Sequence, residues 1–234
     1  MKVTSLETYF LSAPLPQAVR TSTHRITSVS ELIVRLSTDA GLMGIGEAHG
    51  PFLFQQGPDG LRTVKDILTA ITPLVVGQDP FDTERIWQDL FALTYTSVRG
   101  IPTLARQQRP LVTAMSAIDI ALWDLKGQSI NRPVWALLGG ALRERVPAYV
   151  TGFYYRDGER PDDLVREAAM YVEQGYRTVK VKVGGLSPEA DAERVGRIRK
   201  AVGGDVAIML DANQGWNLPT AVRAAKLCAE HDIF

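Results

Sequence analysis

Hydrophobic and polar positions follow two different rhythms along this chain. Up to about residue 140, strand-like runs come first and helix-like runs follow. Residues 2–11 alternate weakly and predict a strand, residues 31–38 predict a strong one, and Asp39-Ala40-Gly41 reads as a turn. Residues 42–48 predict a third strand, broken by Gly44 and Gly46, so the three strands form a small antiparallel meander. The stretch 12–30 is polar and irregular, with prolines at 14 and 16, and reads as a long loop; residues 49–60 read as another. Apolar residues at three- and four-residue spacing then predict helices over 61–74, 82–95 and 110–128. A short turn at 134–138 is stopped by Gly139-Gly140. Strands first and helices after describe an α+β domain, here residues 1–140.

From residue 146 the order becomes strict alternation. Strands are predicted at 146–151, 178–183 and 206–210, and helices at 161–174, 188–202 and 218–231. The helix from 188 is the best marked. Ser187 can cap it, proline suits its first turn, and Glu189, Asp191 and Glu193 precede Arg197, Arg199 and Lys200 in the order that the helix dipole favours. Three β-α units in a row imply an α/β region with a parallel sheet and right-handed crossovers. Asp232-Ile233-Phe234 looks like the first residues of a fourth strand. A closed parallel barrel takes eight strands and typically ~250 residues. Only 89 residues run from 146 to 234, so the expectation is an open sheet or an incomplete barrel.

Composition narrows the partners. The 234 residues carry 26 basic and 26 acidic groups, with 45% hydrophobic and 22% charged residues. That balance is ordinary for a soluble globular chain and favours neither nucleic acid nor an anionic membrane surface. The single cysteine, Cys228, rules out an internal disulfide framework and fits a reducing compartment, hence a cytoplasmic location. No apolar run approaches the ~20 residues of a membrane span, and the first residues do not read as a signal peptide.

Candidate chemistry sits in the alternating half. In Val179-Lys180-Val181-Lys182-Val183, three valines share one face of a strand and two lysines the other. A second apolar run, Ala207-Ile208-Met209-Leu210, ends in Asp211-Ala212-Asn213-Gln214-Gly215-Trp216, whose acid and amide are two apart. Two successive parallel strands would present Lys180, Lys182, Asp211 and Asn213 near their carboxyl ends. If the sheet is open, the lysines are a solvated face. If it is a barrel, they point inward, where unpaired ammonium groups are costly. Elsewhere Asp119, Asp124 and Glu47 read as structural, and Cys228 and His231 as core packing around the last helix.

A third motif joins these two. It runs Ala114-Met115-Ser116-Ala117-Ile118-Asp119-Ile120-Ala121-Leu122-Trp123-Asp124-Leu125-Lys126-Gly127-Gln128, then Pro133-Val134-Trp135-Ala136-Leu137-Leu138-Gly139-Gly140. With the Lys-x-Lys strand and the Asp-Ala-Asn-Gln-Gly-Trp segment, the chain closely resembles the enolase superfamily, in particular its mandelate racemase and muconate-lactonising groups. The resemblance implies a capping domain over a modified TIM barrel, of which residues 141–234 would be the first three β-α units. It also implies Mg²⁺ and removal of the proton α to a substrate carboxylate. In that scheme Lys182 is the general base, Lys180 holds or polarises the carboxylate, and Asp211 is a metal ligand. Asn213 lines the same site, while Arg20 and His24, in a capping loop, meet the substrate. His49 lies in the second such loop. The remaining metal ligands and a second acid/base residue would lie beyond Phe234.

Such a proton is very weakly acidic, so its removal calls for a neutral base and concentrated positive charge at the carboxylate oxygens. Two lysines two residues apart, ~6.6 Å along a strand, repel by roughly 2.5 kcal/mol at an effective dielectric of ~20. That helps one of them to lose its proton but does not suffice alone. The expected activity is acid-sugar dehydration or racemisation. Muconate-type cycloisomerisation and dipeptide epimerisation stay open, and so does a non-catalytic truncated fragment or scaffold. The expected partners are a small carboxylate substrate and further copies of the chain in a homo-oligomer.

Overall fold

A computed structural model of the chain describes residues 1–49 and 51–234, the side chains of 51–58 excepted. Its residues gather into two compact units: Met1–Ala13 with Val29–Glu144, and Pro14–Ser28 with Arg145–Phe234.

The first unit holds the base of a long hairpin, β1 (Val3–Arg20) and β2 (Arg25–Thr38), and β3 (Met43–Ala48) beside it. On β2, Leu32, Val34 and Leu36 are fully buried on one face, as the period of two requires. β3 pairs antiparallel with β2 from Leu32 opposite Ala48 to Ser37 opposite Met43. Helices α1 (Pro51–Val75), α2 (Thr83–Ala92), α3 (Gln108–Ser129) and the single turn α4 (Val134–Leu137) follow. Val64, Leu68 and Ile71 of α1, Ile86 and Leu90 of α2, and Ala114, Ile118, Ala121 and Leu125 of α3 close the core with β2. Asp124 pairs locally, accepting from Ile45 N at 2.9 Å and from Gln128 Nε2 at 3.0 Å.

The second unit has a parallel sheet in the order β4 (Val150–Gly152), β6 (Thr178–Lys182), β7 (Ala207–Asp211). Helices α5 (Pro161–Glu173), α6 (Pro188–Val202) and α7 (Leu218–Cys228) alternate with the strands. Val179, Val181, Val183 and Ile208 bury one face against Leu164, Ala168, Val195, Ile198 and Cys228. Ser187 caps α6 by accepting from Ala190 N, and Asn217 caps α7 by accepting from Thr220 N. Phe234 N donates to Ile208 O at 2.8 Å, so the chain arrives beside β7 as the apolar ending suggested. An α+β region followed by three parallel β-α units is the architecture of an incomplete TIM-type barrel.

Four expectations change. Residues 12–30 are not a loop. β1 and β2 continue through them to a turn closed by Thr21 N donating to His24 O. Their polar residues are exposed or half-buried, Thr21 excepted, so no apolar alternation marks the two strands in the sequence. Among the described residues β5 (Tyr155–Arg156) pairs only with Val19 and Arg20 of β1, so Pro14 and Pro16 lie along an edge. An edge loses no ladder bond to a proline. The loop read at 49–60 is helical from Pro51, and its Gly50 lies outside the described residues. Gly44 and Gly46 do not break β3 but let α3 approach it. The strand expected from 146 begins only at Val150, where pairing with Val179 starts.

Candidate active site

Register builds the site. Lys180 lies opposite Met209 and Lys182 opposite Asp211, so both lysines and Asp211 emerge from one face of the sheet, opposite the valine face. The open-sheet reading of the lysines fails on burial: Lys182 is only 5% exposed. Lys182 Nζ donates to Asp211 Oδ2 at 2.7 Å, and Lys180 Nζ stands 3.6 Å from the same oxygen. Each ammonium also lies over a tyrosine ring, Lys180 over Tyr149 at 5.2 Å and Lys182 over Tyr154 at 5.3 Å. A ring face attracts a cation and replaces part of its lost hydration.

Asp211 is the hub. Its Oδ1 accepts from Asn213 N at 2.9 Å. Burial alone would raise its pKa, but the Lys182 hydrogen bond, the Asn213 amide and both ammonium charges prevail and hold its carboxyl below the ordinary range. Asn213 and Gln214 both have positive φ, 46° and 62°, so the chain turns sharply out of β7. That turn leaves Asn213 Oδ1 and Trp216 Nε1 buried without a hydrogen-bond partner.

Arg20 and His24 are not brought into contact with this cluster. Arg20 stacks on the Tyr155 ring at 5.5 Å, and His24 Nδ1 meets the Thr23 hydroxyl at 2.7 Å. The residue of their turn that does reach the site is Ser22, whose hydroxyl donates to Ala212 O at 2.5 Å. Sequence reasoning missed it; the available signal was Gly184 and Gly215, where a Cβ would press on Ser22 and the Ala212 carbonyl. His49 lies in the first unit, 3.1 Å from Glu31 Oε2 and 3.7 Å from Glu47 Oε1.

Residues 5–139 match the family model for the mandelate racemase / muconate lactonizing enzyme N-terminal domain, and residues 163–234 match the enolase C-terminal domain-like model. The chain belongs to the mandelate racemase / muconate lactonizing enzyme family of the enolase superfamily. D-galactarolactone cycloisomerase of Agrobacterium fabrum is 34% identical over 95% of this chain and 54% of its own length. The crystal structure of 3,6-anhydro-D-galactonate cycloisomerase from Zobellia galactanivorans superposes with a TM-score of 0.79 at 31% identity, covering all of this chain and 57% of that one. The dipeptide epimerase of Enterococcus faecalis, solved with Mg and L-Leu-L-Tyr, gives a TM-score of 0.76 at 29% identity over all of this chain and 60% of its own. This family member thus spans a little over half the length of the relatives it matches.

The residues present suit a hard cation in kind. Asp211 offers carboxylate oxygens and Asn213 a buried amide oxygen that nothing else uses. Mg²⁺ takes oxygen ligands in octahedral geometry, so these two would have to be joined by others.

Proposed function

We propose that this chain carries the lysine half of the machinery of a Mg²⁺-dependent enzyme that removes the proton α to a carboxylate, with an acid sugar as substrate. The observation that carries the reading is the buried Lys182–Asp211–Lys180 cluster at the carboxyl ends of two adjacent parallel strands. Lys182, the more buried, is the base, and Lys180 neutralises the substrate carboxylate. Lys182 has no free lone pair while its ammonium donates to Asp211. To act as a base the nitrogen must first give one proton to solvent, and a cation that engaged Asp211 would take away the carboxylate that now holds that proton. Asp211, with Asn213, would hold the cation, which when bound supplies positive charge to the enediolate oxygens. The two sugar-acid cycloisomerases favour an acid sugar as substrate and leave its dehydration, racemisation or cycloisomerisation open. The dipeptide epimerase keeps epimerisation as a second reading. Arg20 and His24 flank the turn that Ser22 ties to Ala212, and in this reading they meet the distal end of a bound acid. The single cysteine, buried and free, supports a reducing compartment such as the cytoplasm.

The test is α-proton exchange in D₂O, followed by NMR over acid sugars and dipeptides, with the protein isolated from its source and supplied with Mg²⁺. Exchange should occur with at least one acid sugar and fall by about 10²–10⁴ in Lys182→Ala. Absence of exchange with every acid, or full activity in Lys182→Ala, overturns the proposal.

A further inference from the structure

Strand β6 reaches the site unsupported on one side, and a buried side-chain cluster takes over there. β4 pairs with β6 only as far as Gly152 opposite Val181. Phe153 then turns away with φ of +55°, a conformation that a non-glycine residue adopts only under constraint. Val183 N donates to Asp211 O, so the polar groups of Val183 face β7. Successive residues alternate, so Lys182 faces the β4 side, where its carbonyl lies beyond the last paired residue, Gly152.

Arg194, on α6 and 7% exposed, fills that gap. Its Nη1 donates to Lys182 O at 3.1 Å, and its Nη2 to Phe153 O at 3.3 Å and to Glu159 Oε2 at 3.1 Å. The guanidinium lies 4.2 Å from the Tyr155 ring centre. Asp191, 1% exposed, accepts from Gly184 N at 2.7 Å and from the Tyr155 hydroxyl at 2.6 Å. The same hydroxyl accepts from Gly185 N at 2.9 Å. Three backbone groups within the four residues 182–185 are thereby fixed by three side chains. The ring of Tyr155 stands where a side chain at 185 would go, with Cζ at 2.7 Å, so only glycine fits there.

We propose that Tyr155, Asp191 and Arg194 are positioning residues that hold the Lys182 backbone after its sheet partner has ended, and so aim the ammonium nitrogen. The inference rests on Lys182 being the base, as argued above. A displacement of ~1 Å at a reacting group can cost about 10² in rate, so a clamp on this backbone controls turnover without touching substrate. Burial first, then the bond to Asp191, pushes the Tyr155 phenol far up, so it keeps the proton that it donates.

The experiment compares Tyr155→Phe and Arg194→Lys with the native protein. Phenylalanine keeps the ring and loses both hydroxyl bonds. Lysine keeps the charge and loses the fork that spans two carbonyls. Hydrogen exchange at Gly184 and Gly185 should speed by tenfold or more in Tyr155→Phe, with the α7 amides unchanged. Reductive methylation of Lys182 at one fixed pH, referenced to exposed Lys200, should change at least threefold in both variants. With whichever acid the native protein exchanges, kcat should drop 10- to 100-fold while KM stays within twofold. Unaltered methylation and unaltered Gly184 and Gly185 exchange overturn the clamp, and so does an active native protein whose variants keep kcat. A native protein that exchanges no α-proton refutes the proposed function instead, and the methylation and amide data still decide the clamp.

Discussion

Gly46→Ala tests how β3 and α3 come together. A Cβ at Gly46 would overlap the Ala117 carbonyl oxygen and lie 2.9 Å from its carbon and 3.0 Å from Ala121 N. Ordinary contact begins near 3.4 Å, so the carbonyl carbon alone demands a shift of about 0.5 Å, and the oxygen more. The obstacle is helix backbone and cannot rotate away. Overpacking of this kind costs about 1–3 kcal/mol, offset by about 0.4–1 kcal/mol of unfolded-state entropy lost with glycine. Overlap with an immovable helix carbonyl puts the cost at the upper end of that range, so the net expectation is a loss of about 2 kcal/mol, near thirtyfold in the folding equilibrium. Urea unfolding followed by tryptophan fluorescence reads this as a midpoint lowered by about 1 M, for a slope of about 2 kcal/mol per M. Gly204→Ala is the control: nothing lies within 4 Å of its Cβ position, and its change should stay within about 0.5 kcal/mol. If Gly46→Ala and Gly204→Ala unfold at the same midpoint, the close approach of helix and strand is not what those glycines are for.

Three further outcomes follow from the second unit. Because the folded pKa of Asp211 is depressed, its contribution to stability is fully present above the unfolded value of about 3.9 and is lost as pH falls through the folded value. Urea unfolding between pH 2 and 7 should show that loss, and Lys182→Met should shrink it. Burial, then the charge of Glu167, pushes the Tyr171 phenol up to about 12. The stability tied to it is therefore complete below about 10 and disappears as pH rises through 12, and tyrosinate absorbance should show this ring titrating late. Arg199 donates to four carbonyls, those of Gly203, Val206, His231 and Asp232. Arg199→Lys should lower stability by about 2 kcal/mol, since an ammonium cannot fork across them; an unchanged urea midpoint would remove that anchor from the account.

The buried elements were legible in the sequence and the polar ones were not. Thr178–Lys182 and Pro188–Val202 could be read because valines every second residue, or Ser187-Pro188 ahead of a graded charge, are local consequences of burial and capping. The distal hairpin could not, because Pro14 and Pro16 sit on an edge and its side chains are exposed on both faces. Gly44 and Gly46 looked like breaks because period and propensity carry no information about how close a neighbouring helix comes. At the site, Lys180, Lys182, Asp211 and Asn213 followed from spacing. Ser22 and Arg194 did not: their hydrogen bonds go to backbone carbonyls of remote residues, and a carbonyl leaves no mark in the sequence.

The charges at the strand ends argue for the kind of substrate. Lys180 and Lys182 bring two positive charges and Asp211 one negative, so the cluster is left with a single excess positive charge that no other described carboxylate pairs with. Taking Lys182 out of water with only a half-share of one carboxylate is costly unless a further anion completes the set. A neutral ligand would leave that cost in place. A carboxylate beside Lys180 removes it, and it also frees Asp211 from serving two lysines at once. On the proposed function the arrangement therefore favours an acid over its ester or amide, and an acid that binds no more tightly than its amide in a calorimetric titration would refute this argument.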